Sequence, residues 1–336
     1  MNVKKINKKV VLIADRINKF EKVDLSNDTL EFIEDEYYEG IFSSLKKICT
    51  DVISYDSPET FLKNITIHKD DIVFSIWSGR KSRNRRALVP SICEAYGILY
   101  VGADTYVNIV CQDKILSKQF ATKKRLEIPN YVYFEGHEFD SMLIKNLRLP
   151  LVVKPTFEGG SIGISLDNLT NHYDSAYAKA KELFAIYKQP ILIEEFIRGK
   201  EVSIVIMGNN SKIDFCEVVE LYIEDNKFDL TNSIFSYEMK KEYLQVKLAH
   251  KLITAVVPKY IIDNAIRLFN DLGKVEVIRI DGRYDKENFY LLELSPDIHF
   301  GPGATFADAF QLKNITYDDM IYMVLNNSLT NQKVTP

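Results

Sequence analysis

The chain predicts a mixed fold: an α/β portion with a doubly wound parallel sheet first, then α+β portions rich in antiparallel strands. Three observations predict it. Short apolar runs alternate with helix-period segments over roughly residues 1–105. From Glu201 onward long alternating strands follow one another with few helices between, which implies an antiparallel sheet with helices on one side. At 336 residues the chain also exceeds one ordinary core, so two or three domains are expected.

Residues 9–14 read as the first strand. Tyr37, Ile41, Leu45 and Ile48 recur at helical spacing. Val52–Tyr55 and Ile72–Ile76 are short apolar strands, Leu88–Tyr96 is a helix closed by Gly97, and Ile98–Val101 is a further strand. Asp113 caps a helix that carries Lys114 in its first turn and runs to about Leu126. A helix over Tyr173–Tyr187 precedes the strand Ile191–Phe196. Beyond it come the strands Val202–Met207, Phe215–Ile223, Val275–Ile280 and Phe289–Leu294. A helix over Ile261–Leu272 is ended by Gly273, and a last helix spans Tyr317–Leu325 before a polar tail.

Hydrophobic residues make up 46% and charged residues 27%, an ordinary globular balance. The net charge of −4 argues against a general nucleic-acid binder. Cys49, Cys93, Cys111 and Cys216 are scattered without zinc or C-x-x-C spacing, so reduced, buried thiols in the cytoplasm are expected. The apolar core of the basic N-terminus, Val10–Ala14, is too short for a signal peptide, and no run reaches membrane-spanning length.

The stretch from Val152 to Ser165 organises the functional reading. An apolar run ends in Lys154 and Pro155, a loop with Gly159, Gly160 and Gly163 follows, and a second alternating run begins at Ser161. This reads as strand, flexible loop and returning strand. Glycines let the loop backbone approach a ligand, loop N–H groups can converge on an anion, and Lys154 supplies a charge suited to phosphate. The loop fits neither G-x-x-x-x-G-K-[ST] nor G-x-G-x-x-G. A plain hairpin turn with a solvated lysine is the competing reading.

Two further groups answer to it. Val275–Asp281 and Phe289–Ser295 read as a hairpin joined by residues 282–288. Alternation puts Arg279 with Asp281 on one face, and Glu293 with Ser295 on one face of the partner. If the two faces coincide, hard oxygen ligands suited to Mg²⁺ meet beside an arginine; a solvated Asp–Arg pair is the alternative. In Ile191–Glu201, a strand ends in Glu194 and Glu195, acceptors for an amino group or ribose hydroxyls, though such residues are often merely exposed.

In this order the motifs resemble the ATP-grasp superfamily, most closely its D-alanine–D-alanine ligase branch. The match runs from Gln112-Asp113-Lys114 through VVKP and EGGSIG to LIEEF with Glu201, then Arg279-Ile-Asp281 and LLELSP, over about residues 70–300. The resemblance implies an N-terminal pre-ATP-grasp domain (1–107), a central subdomain with a glycine-rich lid loop (108–196), and a C-terminal subdomain with the Mg²⁺ and substrate site (197–336). It implies ATP held at Lys114, Lys154 and the loop residues Glu158, Gly159, Ile162 and Gly163, with Gly160 and Ser161 at the reacting groups. Glu194, Glu195, Phe196 and Ile197 would meet adenine, Glu201 the ribose, and Lys240 would close over the triphosphate. Asp281, Glu293 and Ser295 would hold Mg²⁺, and Arg279 would steady the transferring group. The chemistry implied is a carboxylate–amine ligation through an acyl phosphate, with possible homodimerisation.

Departures from the branch lead the sequence reading to a substrate other than D-alanine. Ser295 stands where the ligases place an asparagine, with Asp297 able to compensate; Gly160 replaces a serine and Lys241 a tyrosine. No clear counterpart of the family's N-terminal glutamate is found in Ala14–Lys19. A segment with five cations within residues 80–86, beginning at Arg80, replaces an acidic loop. An ordinary solvated basic loop and an acidic ligand, whether a substrate with an extra carboxylate or phosphate or an acidic carrier protein, are both open. His299 is read as a substrate contact, a base or a structural residue, and Gly301 and Gly303 as bends of the substrate pocket. The alternatives are a D-alanine–D-alanine ligase and an ATP-binding regulatory scaffold without turnover.

Overall fold

Three sheets carry the architecture in a computed structural model. It describes residues 4–16, 33–79, 82–136, 140–209, 212–224, 230–234, 248–296 and 299–331. The first sheet joins β1 (Ile6–Ile13), β2 (Cys49–Tyr55), β3 (Ile72–Ser75) and β4 (Leu99–Tyr100) in the order β2-β1-β3-β4, with every pair parallel. Its helices are α1 (Asp35–Ile48), α2 (Pro58–Asn64) and α3 (Leu88–Tyr96), and Gly97 ends α3 in the left-handed region at φ 66° as expected.

α4 (Thr105–Gln112) and α5 (Lys114–Thr122) lead to the second sheet. The sequence reading assigns no helix over α4, which Asp104 caps through the Val107 N–H at 2.8 Å. α5 stops short of Leu126, because Arg125 adopts φ 62° and turns the chain. The second sheet comprises β5 (Tyr131–Phe134), β6 (Leu151–Pro155), β7 (Leu169–Thr170) and β8 (Ile191–Glu195), antiparallel in the order β5-β8-β6-β7, with α6 (Tyr173–Tyr187) packed on it. The strand expected to return from Ser161 is confined to β7. Asn168 replaces a longer ladder, donating to Val153 O at 2.5 Å and to Gly163 O at 2.7 Å.

The third sheet holds β9 (Lys200–Asn209), β10 (Lys212–Ile223), β11 (Leu248–Leu252), β12 (Val277–Tyr284) and β13 (Phe289–Ser295) in the order β11-β10-β9-β12-β13, all antiparallel. β12 continues through Gly282, Arg283 and Tyr284, which the sequence reading gives to the turn, so the connection shortens to residues 285–288. The remaining helices are α7 (Lys259–Leu272), α8 (Thr305–Leu312) and α9 (Tyr317–Thr330), the last one longer than expected.

Alternation decides where the third sheet buries each side chain. Val202, Ile204, Ile206, Ile278 and Ile280 join a core with α4, α5 and α7. Val205, Met207 and Val277 face the opposite way, into a core shared with α1, α8, α9 and one face of the first sheet. Residues of one strand face repeat every second position, so the face of Val205 and Val277 continues into Ser203, Glu201, Arg279, Asp281 and Arg283. That face turns polar at one end, and the site begins there. Among the described residues, no helix is long and apolar enough to cross a membrane. Cys49, Cys93 and Cys111 are buried and Cys216 is half-buried, and none of the four is in a disulfide; burial pushes the Cys93 thiol up to about 12, out of the reactive range.

Candidate functional site

Register brings the expected acidic residues together. Asp281 lies directly opposite Glu293 and Arg279 directly opposite Ser295 across β12 and β13, so all four side chains share one face. Arg279 clamps Asp281 with Nε 2.7 Å from Oδ1 and Nη2 2.9 Å from Oδ2. Ser203, opposite Asp281 on β9, donates to Oδ1 at 2.6 Å, and Ser295 donates to Oδ2 at 3.5 Å. Among the described residues no group of three or more His, Cys, Asp or Glu forms a metal cage. Two carboxylates and a hydroxyl fit Mg²⁺ completed by phosphate oxygens and water, and fit a self-sufficient protein cage poorly. Asp297, named as a substitute ligand, lies outside the described residues.

Lys114 connects this face to the glycine-rich loop. Asp113 caps α5 by accepting the Ile115 and Leu116 N–H groups at 2.8 and 3.1 Å, which fixes Lys114 in the first helical position. Lys114 Nζ then lies 3.3 Å from Glu293 Oε1 and donates to the Glu158 carbonyl. The side chain of Glu158 is held by Gln189 Nε2 at 2.7 Å and Arg85 Nη2 at 3.5 Å, while Gln189 Oε1 accepts the Phe157 N–H at 2.6 Å. The loop is therefore fastened at Phe157 and Glu158; beyond them Gly160 is exposed and Ser161 adopts φ 64°. Gly159 is half-buried and Ile162 buried. At Gly163, φ is 72° and an added Cβ would meet Pro155 Cγ at 2.7 Å, so the backbone passes there only without a side chain.

Behind the loop is a buried charge cluster that motif reading misses in part. Glu194 is 2% exposed and pairs with Lys154 and with Lys118 Nζ at 2.8 Å. Lys118, fully buried on α5, also donates to Leu291 O at 3.2 Å. Burial pushes its ammonium down to about 8; Lys154 and Lys114 push the same way, and Glu194 opposes them. Burial alone would raise the Glu194 carboxyl, but Lys118 and Lys154 outweigh it and hold the group below its usual range. Lys118 sits four residues after Lys114, on the same helical face, the one signal that could have found it.

Other expected residues turn elsewhere. Glu195, next along β8, points to the other sheet face, where Arg148 takes both its oxygens at 2.9, 3.1 and 2.8 Å. Its carboxylate is thus committed to structure, and the Glu195 and Phe196 N–H groups go to Asn130 O and Pro150 O. What the Glu194–Ile197 segment can present to a base is its remaining backbone polar groups and the Phe196 ring. Glu201 faces Arg283 across β9 and β12, with 3.2 Å between Oε2 and Nε. His299 stacks on Tyr37 with ring centroids 3.9 Å apart and accepts the Gly301 N–H at 3.2 Å through Nδ1. The Tyr37 hydroxyl accepts the Phe300 N–H at 3.1 Å, so α1 anchors the loop carrying Gly301 and Gly303. Arg80 and Lys240 lie outside the described residues.

Residues 121–326 match the family described as D-ala D-ala ligase C-terminus. The chain belongs to that family. As a member of the D-alanine–D-alanine ligase family it is an ATP-grasp enzyme that joins carbon to nitrogen, with ATP and Mg²⁺ as cofactors. Similar relatives include a D-alanine–D-alanine ligase of Pelagibacter ubique, 25% identical over 97% of this chain and 100% of the relative. One from Carboxydothermus hydrogenoformans is 24% identical over 85% of this chain and 90% of that one. The fold is similar to that of the Bacillus anthracis D-alanine–D-alanine ligase complexed with ATP, at TM-score 0.71, 16% identity and coverage of 96% and 97%. The VanG D-Ala:D-Ser ligase of Enterococcus faecalis gives TM-score 0.68 at 18% identity, covering 96% of this chain and 100% of that one.

Proposed function

We propose that this ligase joins two D-alanine molecules, and that the named residues divide the work as follows. The observation that carries the reading is Lys114 bridging the Glu158 carbonyl and Glu293, with Asp281 opposite Glu293. One cation, one loop and two metal-competent carboxylates thereby converge where a triphosphate tail would lie.

ATP with Mg²⁺, when bound, supplies the phosphoryl group that turns a carboxylate into an acyl phosphate. Two anions must approach for that step, and at 4 Å unit charges repel by about 4 kcal/mol at moderate effective dielectric. Lys114 and Lys154 offset that repulsion from the phosphate side, and Arg279 from the carboxylate side. Asp281 and Glu293 would hold the metal. The loop from Gly159 to Gly163 covers the site, and its fastened end at Glu158 keeps it in register while its tip closes and excludes water. The amine then attacks the acyl carbon and phosphate leaves.

The substrate assignment departs from the sequence expectation of something other than D-alanine. Relatives spanning nearly the whole chain are named for D-alanine. The basic segment that motivated the other reading is partly spent inside the protein: Arg85 is buried against Phe157 and Glu158, and Arg83 lies 5.5 Å over the Phe157 ring. Those two cations serve the loop, which leaves little reason to invoke an acidic or carrier-bound substrate. Domain limits at residues 107 and 196, and a cytoplasmic location where ATP is made, belong to the same proposal.

The test is purified protein with ATP, Mg²⁺ and D-alanine, followed by mass spectrometry. The dipeptide and one phosphate per dipeptide are expected. Release of phosphate with a different amino acid pair, and none with D-alanine, would reassign the substrate and leave the ligase intact.

A further inference from the structure

We infer that Arg283 is the positioning residue that sets how this site reads the sugar of its nucleotide. The inference rests on the ATP-ligase reading above and adds a residue that none of the sequence motifs contains. Arg283 lies on β12 two positions beyond Asp281, on the same face, and directly opposite Glu201 on β9. It is 3% exposed. Its Nε lies 3.2 Å from Glu201 Oε2. Nη1 donates to Gly199 O at 2.9 Å and Leu230 O at 2.5 Å, and Nη2 donates to Ser233 O. The guanidinium carbon stands 4.9 Å from the centroid of the Phe196 ring.

One planar cation thus holds a carboxylate, three carbonyls and an aromatic face. A guanidinium presents five donors in a fixed fork, so each partner is held at a set angle. Burying that charge is costly, and an apolar residue of similar size would pack more cheaply. Arg283 joins β12 to two other segments, the Phe196–Glu201 connection and the loop at Leu230–Ser233. The connection is drawn in tightly: Gly199 adopts φ 149°, and a Cβ there would lie 2.5 Å from Tyr284 O.

Glu201 is the acceptor for ribose hydroxyls in the ATP reading, and Phe196 belongs to the segment that meets the base. Glu201 keeps 24% of its side chain exposed. With one oxygen tied to Arg283, the carboxylate is oriented before the nucleotide arrives and loses less freedom on binding. Arg283 therefore acts through Glu201 on the sugar hydroxyls of a ribonucleotide.

The test compares binding of ATP·Mg²⁺ and 2′,3′-dideoxy-ATP·Mg²⁺ by calorimetry to the full chain, to Arg283→Met, Arg283→Lys and Glu201→Gln, and to the Met/Gln double variant. Each variant is first checked for cooperative thermal unfolding. Hydrogen bonds to a charged acceptor predict that the wild type favours ATP by about tenfold or more. Arg283→Met and Glu201→Gln should each bring the ratio to within about twofold, the double variant should fall no further, and Arg283→Lys should lie between. A general loss of packing would weaken both nucleotides alike and leave their ratio unchanged; an unchanged ratio in the Met variant overturns the inference. If that variant fails to fold, the Lys variant decides, and the wild-type ratio there overturns it equally. A wild type that binds neither nucleotide would instead remove the ATP reading itself.

Discussion

Lys118 Nζ and Glu194 Oε2 lie 2.8 Å apart in the fully buried space between α5 and β8. Neither charge reaches water, and Lys154 shares the same carboxylate. Removing the shared carboxylate leaves both ammonium groups without their buried counter-charge, at about 3–5 kcal/mol. Glu194→Gln should therefore lower stability by that amount in urea unfolding. In the proposed site ATP affinity should fall as well, because Lys154 loses the carboxylate that orients it. Unfolding that matches the wild type would contradict this account of the cluster.

A second buried pair ties the first sheet to the third. Glu276 is fully buried; it accepts the Gly102 N–H at 2.7 Å and lies 3.1 Å from Lys274 Nζ. Lys274 in turn donates to Tyr100 O and Gly102 O at 3.1 and 2.7 Å. Glu276→Ala should cost about 3 kcal/mol or more, because Lys274 loses its counter-charge and the Gly102 N–H and Asn331 amide lose their acceptor. Differential scanning calorimetry reads this directly, and a shift within error of zero would refute it.

Asp15 gives the chain a pH dependence. It is buried at the end of β1 and accepts the Ser78 and Gly79 N–H groups at 2.9 and 2.7 Å. Burial raises its carboxyl to about 6 from 3.8, against the two N–H bonds and Arg86. A folded-state value above the unfolded one means that the folded chain holds the proton more tightly. The resulting stabilisation is full below pH 3.8 and is lost as pH rises through about 6. Between those limits the wild type should lose about 3 kcal/mol relative to Asp15→Asn. Parallel stability curves for the two proteins would contradict the shift.

How much of this was legible in the sequence depends on the range over which each feature is encoded. Asp281, Glu293, Arg279 and Ser295 were readable because a strand repeats every two residues and a hairpin fixes which residues face each other. Asp113 and Gly97 were readable because caps are local. Lys118, Gln189, Arg148 and Arg283 were not, since each draws its meaning from partners far away in sequence: Gln189 from Phe157 and Glu158, Arg148 from Glu195. The Arg148 partner of Glu195 was hidden for a related reason, as the sequence shows two adjacent acids but not which sheet face each one takes. The returning strand after the loop was over-extended because Asn168 takes over carbonyls that a ladder would otherwise use.

The metal assignment makes its own prediction. Glu293→Gln keeps the shape and the Lys114 contact but loses the charge that a hard cation needs. Metal stabilisation of developing charge is worth several kcal/mol, so turnover should fall by about 10³-fold with the fold intact. A variant retaining more than about a tenth of wild-type turnover would remove Glu293 from the metal site.

The central claim is that a carboxylate is activated on this chain by phosphoryl transfer from ATP. D-alanine labelled with ¹⁸O in its carboxylate tests it most directly, with the released phosphate analysed by mass spectrometry. The account predicts one labelled oxygen in each phosphate, carried over when the amine displaces it. Unlabelled phosphate, released alongside dipeptide, would contradict it.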